Sequence, residues 1–132
     1  MKNILSISLI LLIASCNLFK KKEKVDVNKV YSVVDVQPQF PGGEEAMFQY
    51  LGKNIKYPPR AKEAGVQGKV YVQFIVERDG SISTVEVIRG IGSGCDEVAI
   101  KAVENMPKWS PGEIKKQKVR TRFVLPISYT LR

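Results

Sequence analysis

Gly68-Lys69-Val70-Tyr71-Val72-Gln73-Phe74-Ile75-Val76-Glu77-Arg78-Asp79-Gly80-Ser81-Ile82 alternates side-chain character and then turns. Val70, Val72, Phe74 and Val76 fall on one face, and Tyr71, Gln73, Ile75 and Glu77 on the other. That period of two marks a strand with one buried side. Asp79-Gly80 suits a tight hairpin, because glycine accepts the positive φ such turns need. Ile82 to Arg89 is the return strand, less regular, with Val85 and Val87 on one face and Ile88 on the other. A hairpin of this kind needs cover on its buried face, and the flanking sequence supplies it.

Upstream, Tyr31 to Val36 reads as a short leading strand, broken by Pro38, Pro41, Gly42 and Gly43. Glu44 and Glu45 stand where a helix start favours carboxylates, and Ala46, Met47, Tyr50, Leu51 and Ile55 recur at helical spacing, which predicts a core-packing helix. Tyr57-Pro58-Pro59 ends it, since a residue before proline is driven to extended geometry. Pro59 then opens a short helix over Arg60 to Ala64, stopped at Gly65.

Downstream, Gly90-Ile91-Gly92-Ser93-Gly94 is a loop whose Ser93 is placed to cap the next helix, with Asp96 and Glu97 in its first turn. Val98, Ala99, Ala102, Val103 and Met106 form its buried stripe, Pro107 stops it, and Trp109 is placed to pack over its end. Ser110-Pro111-Gly112 turns the chain and Glu113 to Lys118 reads as a polar loop. Val119, Thr121, Phe123 and Leu125 then alternate with Arg120, Arg122 and Val124 in a last strand. Pro126 has no ladder donor, so this strand either breaks there or lies at an edge, and Ile127 to Leu131 continues it. The order of elements predicts an α+β domain, a small antiparallel three-stranded sheet with helices packed on one face.

The amino-terminal residues read as an address. Lys2 precedes an apolar run from Ile4 to Ala14, too short to span a bilayer and typical of a secretory signal core. The run ends in Ile13-Ala14-Ser15-Cys16, similar to the bacterial lipoprotein cleavage box, so Cys16 is the expected lipidation site and the membrane anchor; an ordinary signal cleaved nearby is the alternative. The expected organisation is a signal peptide over 1–15, a polar tether over 16–30 and a folded domain over 31–132. Asn17, where an aspartate would mark inner-membrane retention, favours the inner leaflet of the outer membrane, facing the periplasm. With Cys16 acylated, Cys95 has no partner for a disulfide and reads as a buried thiol.

Lys and Arg number 21 against 13 Asp and Glu, and part of the excess is Lys20-Lys21-Lys22 and Lys24 beside the anchor. These lysines read as a solvated tether, with attraction to anionic headgroups or another envelope polyanion as the alternative; no recognised nucleic-acid motif accompanies them, so nucleic acid is not an expected partner. The chain has no histidine, which removes the commonest general base and metal ligand and every Ser-His or Cys-His pair. The loop from Gly90 to Cys95 imitates a dinucleotide fingerprint, but the third glycine falls at Cys95 and the strands join by a hairpin rather than a helical crossover. No catalytic residue, cofactor or metal site is expected.

The last strand is the better candidate site. At a sheet edge it presents backbone groups to which an extended peptide adds as a further strand. Arg120 and Arg122 either meet acidic side chains of that peptide or act as edge charges against aggregation.

Tyr57-Pro58 with Ala61, the Gly68-to-Phe74 strand, Asp79-Gly80-Ser81-Ile82, Asp96 with Ala99 and Ala102, Trp109-Ser110-Pro111 and Val119 to Pro126 together resemble the carboxy-terminal domain of TonB energy transducers. Phe40-Pro41-Gly42-Gly43 ahead of them is in the style of Bacteroidetes members. The resemblance implies a periplasmic domain that binds the TonB box of outer-membrane transporters by strand addition. It places the contacts at Ile55, Lys56, Tyr57 and Pro58, and at Val119, Arg120, Thr121, Arg122, Phe123, Val124 and Leu125. The lipoprotein-like start and the lack of a proline-rich spacer depart from the familiar transducer, as does Lys56 where better-known members carry glutamine. A second reading keeps the fold but makes the protein an envelope adaptor or scaffold, contacting other envelope proteins, the cell wall or a second copy of itself.

Overall fold

The computed structural model describes residues 24–131. The proposed signal peptide, Cys16 and the lysine run 20–22 lie outside the described residues. The described elements run β1 (Val30–Tyr31), α1 (Gly43–Asn54), α2 (Pro59–Glu63), β2 (Gly68–Val76), β3 (Ile82–Arg89), α3 (Cys95–Glu104), β4 (Gly112–Ile114) and β5 (Gln117–Tyr129).

The expected three-stranded antiparallel sheet is its centre, in the order β5-β2-β3, and two short strands extend it. β1 lies parallel to β5 on the side away from β2, matching Val30 with Arg120 and Tyr31 with Thr121. β4 pairs antiparallel with β5. The predicted leading strand over 31–36 is shortened to two residues, with Val36 kept as an isolated bridge to Glu113.

β2 and β5 pair without a register shift from Gly68–Tyr129 to Val76–Thr121. The face predicted to be buried is buried, since Val70, Val72, Phe74 and Val76 have no exposed surface. Leu125, Ile127 and Tyr129 of β5 join them, with Met47 and Leu51 of α1 and Cys95, Ala99 and Val103 of α3. β3 shifts register twice, between its partners Tyr71 and Val72 and between Gln73 and Ile75. Thr84, at φ 51°, sits in one of these irregularities, and Ile88 is 53 % exposed beside the other, so bulges are what broke the alternation there.

Two local expectations are corrected. Ser93 does not cap α3: the cap position is Gly94, in the left-handed region, with no side-chain bond. The segment 113–118 is not a loop but the end of β4, the start of β5 and a two-residue turn between them. Lys115 and Lys116 carry φ values of 50° and 65°, the backbone pattern of a type I′ hairpin. The Asp35 carboxylate accepts the Lys115 N–H at 2.8 Å and steadies it.

The Asp79-Gly80 turn is clamped from outside. Gly80 N–H donates to the Glu77 carbonyl at 2.9 Å, and Gly80 has φ 88°. The Trp109 N–H donates back to the Gly80 carbonyl at 2.8 Å. Trp109 therefore does more than cover the end of α3. Its ring meets Phe40, Phe74 and Phe123 with centroids 5.2–5.9 Å away. A Cβ at Gly80 would lie 2.0 Å from the Trp109 carbonyl oxygen, whereas one at Gly65 (φ 68°) meets nothing within 4 Å. Gly65→Ala should cost about 1 kcal/mol, the strain of the left-handed backbone alone, and Gly80→Ala more than about 2 kcal/mol. Urea unfolding of both variants checks this, and equal losses would refute the clamp.

Candidate functional site

The β5 strand is not a simple edge. From Arg122 to Tyr129 its other margin, opposite β2, has no strand partner among the described residues. The open margin is therefore the outer half of the strand. The ladder with β2 runs through Pro126 without interruption, as it can where the proline nitrogen faces outward. Arg122, Val124 and Ser128 share the outward side with it and are exposed.

Within this strand the predicted contact residues divide. The side chains of Val119, Thr121 and Leu125 are buried in the domain, and Val119 and Thr121 already stand opposite Gly112 of β4 and Tyr31 of β1. Phe123 is half-buried against Phe74 and Trp109, while Arg122 and Val124 face solvent. Arg120 is already engaged. Its Nε donates to Glu77 Oε2 at 2.8 Å, its Nη2 to Glu77 Oε1 at 3.1 Å and its Nη1 to the Asn28 carbonyl at 3.2 Å. Ser83 Oγ donates to the same carboxylate at 2.6 Å. Arg120 thus ties the segment carrying β1 to the sheet. Arg122 Nη1 donates to Ser32 Oγ at 3.3 Å and adds a weaker tie to that segment.

The other predicted zone is also divided. Ile55 follows α1 and lines a groove with Pro126, Ile127 and Ser128, so it joins the open part of β5. Lys56 is exposed and lines a different depression, between α1 and α3. The Tyr57 hydroxyl donates to the Val66 carbonyl, and its ring packs edge-on against Tyr129 at 5.4 Å. Pro58 is the cap residue of α2. Tyr57 thus packs beside the end of β5, and both residues are half-buried. One residue the sequence reading passed over is Phe48, 56 % exposed on the same groove as Ile55. Its signal was available: an aromatic on α1 outside the buried stripe.

Among the described residues no group of three or more Cys, Asp or Glu side chains is placed to hold a metal ion. Cys95 is fully buried, and burial pushes its thiol above its ordinary pKa.

An α+β domain with a mixed sheet, helical cover on one face and an open stretch of strand beside a helix is the class these features define. The chain belongs to the family of Gram-negative bacterial TonB protein carboxy-terminal domains, whose model matches residues 53–131. Two NMR solution structures of the Helicobacter pylori TonB carboxy-terminal domain share the fold. One is 22 % identical with a TM-score of 0.50, over 70 % of this chain and 87 % of that one. The other is 25 % identical with a TM-score of 0.51, over 68 % of this chain and 97 % of that one. No curated protein matches the chain. Membership in this family supports a TonB-like role in envelope transport.

The hydrogen bonds from Arg120 hold the Glu77 carboxyl below the usual carboxylate range. A lowered folded pKa contributes stability that is present above the unfolded value of about 4.3 and is lost as pH falls through the folded one. Glu77→Gln should therefore lower the thermal midpoint by a few degrees at pH 7. The gap from wild type should close as pH drops below about 4. Melting curves at both pH values test this, and a gap that persists in acid would show that the ion pair is not its source.

Proposed function

We propose that the domain takes an extended segment of an outer-membrane transporter, the TonB box, as an added strand on the open margin of β5. The observation that carries this reading is the stretch from Arg122 to Tyr129, paired with β2 on one side only among the described residues. Unpaired backbone groups at such a margin supply the donors and acceptors for a further strand, and alternate side chains of the incoming segment supply selectivity. The chain itself illustrates the mode, because β1 already lies as a short extended strand on this side at Arg120 and Thr121.

In this reading the domain is held at the envelope by acyl chains on Cys16, with the polar segment over 16–30 as its tether. The inner leaflet of the outer membrane, facing the periplasm, is the proposed location. Family membership and the open margin support the binding role, and the sequence pattern ending in Cys16 supports the anchor.

Titration of the labelled chain with TonB-box peptides should move the backbone amide resonances of Arg122 to Ser128 most. Binding that leaves them unmoved, or no binding, would overturn the reading. Labelled palmitate should be incorporated in cells and should disappear in Cys16→Ser; label retained in that variant would remove the anchor.

A further inference from the structure

Two grooves lie between α1 and β5. One, of about 350 Å³, is lined by Pro38, Gly43, Met47, Trp109 and Phe123. The other, of about 250 Å³, is lined by Phe48, Leu51, Ile55, Pro126 and Ile127. Neither includes a residue of β2, and both take their β5 lining from the stretch that has no second strand partner among the described residues, Phe123 in the first and Pro126, Ile127 and Ser128 in the second. The start of α1 borders the first groove and its end the second, while β5 contributes Phe123 and then Ile127. The helix therefore runs alongside the open strand, and the two grooves are stations on one line. Trp109, which lines the first, carries a buried indole N–H with no hydrogen-bond partner among the described residues. Phe48 stands 56 % exposed at the second, an apolar ring with nothing over half its surface.

We infer that α1 and β5 form a two-sided clamp whose occupant is an extended peptide with two apolar side chains four residues apart. This rests on the strand-addition reading and specifies the segment it selects. The spacing follows from strand geometry. Phe123 and Ile127 lie on the inward side of β5, four residues apart. A strand added beside them sends the residues opposite each to that same side, under α1, four positions apart. The backbone of the segment takes the outward groups of Arg122, Val124 and Ser128. The two residues of β1 show that an extended backbone is accepted on this side, since they pair there immediately before the open stretch. The helical wall is not given by the family match, which begins at residue 53, near the end of α1. The Phe40-Pro41-Gly42-Gly43 turn gains a role, because it sets the start of α1 at the first groove, with Gly42 as its cap.

The test is a set of ten-residue peptides of Ser, Thr and Glu carrying two valines or leucines spaced by two, three, four or six positions, titrated into the full chain. The four-spaced peptide should bind at least about tenfold more tightly than the others, as for loss of one buried apolar anchor. Phe48→Ser should remove about that factor for the four-spaced peptide only. Because Phe48 is exposed, an unchanged melting curve will show that this variant is folded. Peptides that shift the Arg122–Ser128 amides with equal affinity whatever the spacing, or an unaffected Phe48→Ser, overturn the clamp and leave strand addition standing. No binding by any peptide, TonB boxes included, overturns both.

Discussion

The β2–β5 ladder is the constraint on which the rest depends. It joins residues about fifty apart in sequence without a register shift, and it turns Val70, Val72, Phe74 and Val76 inward together. Burying each contributes about 1.5–3 kcal/mol, so the four together match the whole net stability of a domain this size, about 5–15 kcal/mol. A slip by one residue would turn all four to water. That penalty opposes a one-residue slip, and the position of β5 follows from the register that is adopted. Since β5 has 13 residues and β2 has 9, the longer strand overruns its partner. The overrun receives β4 and the Arg120–Glu77 pair, while from Arg122 onward the other margin has no strand partner among the described residues.

Much of this was legible in the sequence because it is local and periodic. The strand faces of β2, the start and stop of α1, the proline-opened α2 and the buried stripe of α3 each follow from a pattern within about a dozen residues. What escaped was decided at a distance. Lys115-Lys116 carries none of the glycine or asparagine that usually marks a type I′ turn, and two lysines with positive φ run against their local preference. The turn is held by the carboxylate of Asp35, 80 residues away in sequence. β1 is short for a related reason. It is fixed by bonds from Arg120 and Arg122, and the chain beyond Tyr31 bends away at once.

The candidate site was legible as a strand but not as a surface. Alternation placed Arg120 and Arg122 on the outer face, and they are partly or fully exposed as that pattern requires. It carried no information that Glu77 would meet Arg120 in two hydrogen bonds, because that pairing depends on how far β2 continues past its last ladder residue. In the same way the family resemblance places Tyr57 among the contact residues, while its hydroxyl and ring are committed to Val66 and Tyr129. Tyr57 and Pro58 thus carry structural contacts of their own beside the last residues of β5.

An open strand margin invites the wrong partners as readily as the right one, and the features around this one bear on which are admitted. Proteins commonly blunt such margins with charge, proline and bulges. Here Arg122 and Pro126 punctuate β5, and two bulges distort β3 at the opposite end of the sheet. Beside β5 the selection is also steric. A second copy of the domain pairing sheet to sheet would bring its own helical layer to the side where α1 already stands. A lone extended segment brings only a backbone and its side chains, about 4.8 Å from the strand it joins. The helix beside the margin thus tolerates a thin partner and resists a thick one. In the proposed reading one arrangement of α1 and β5 therefore serves both the binding of a single segment and protection from edge-to-edge association.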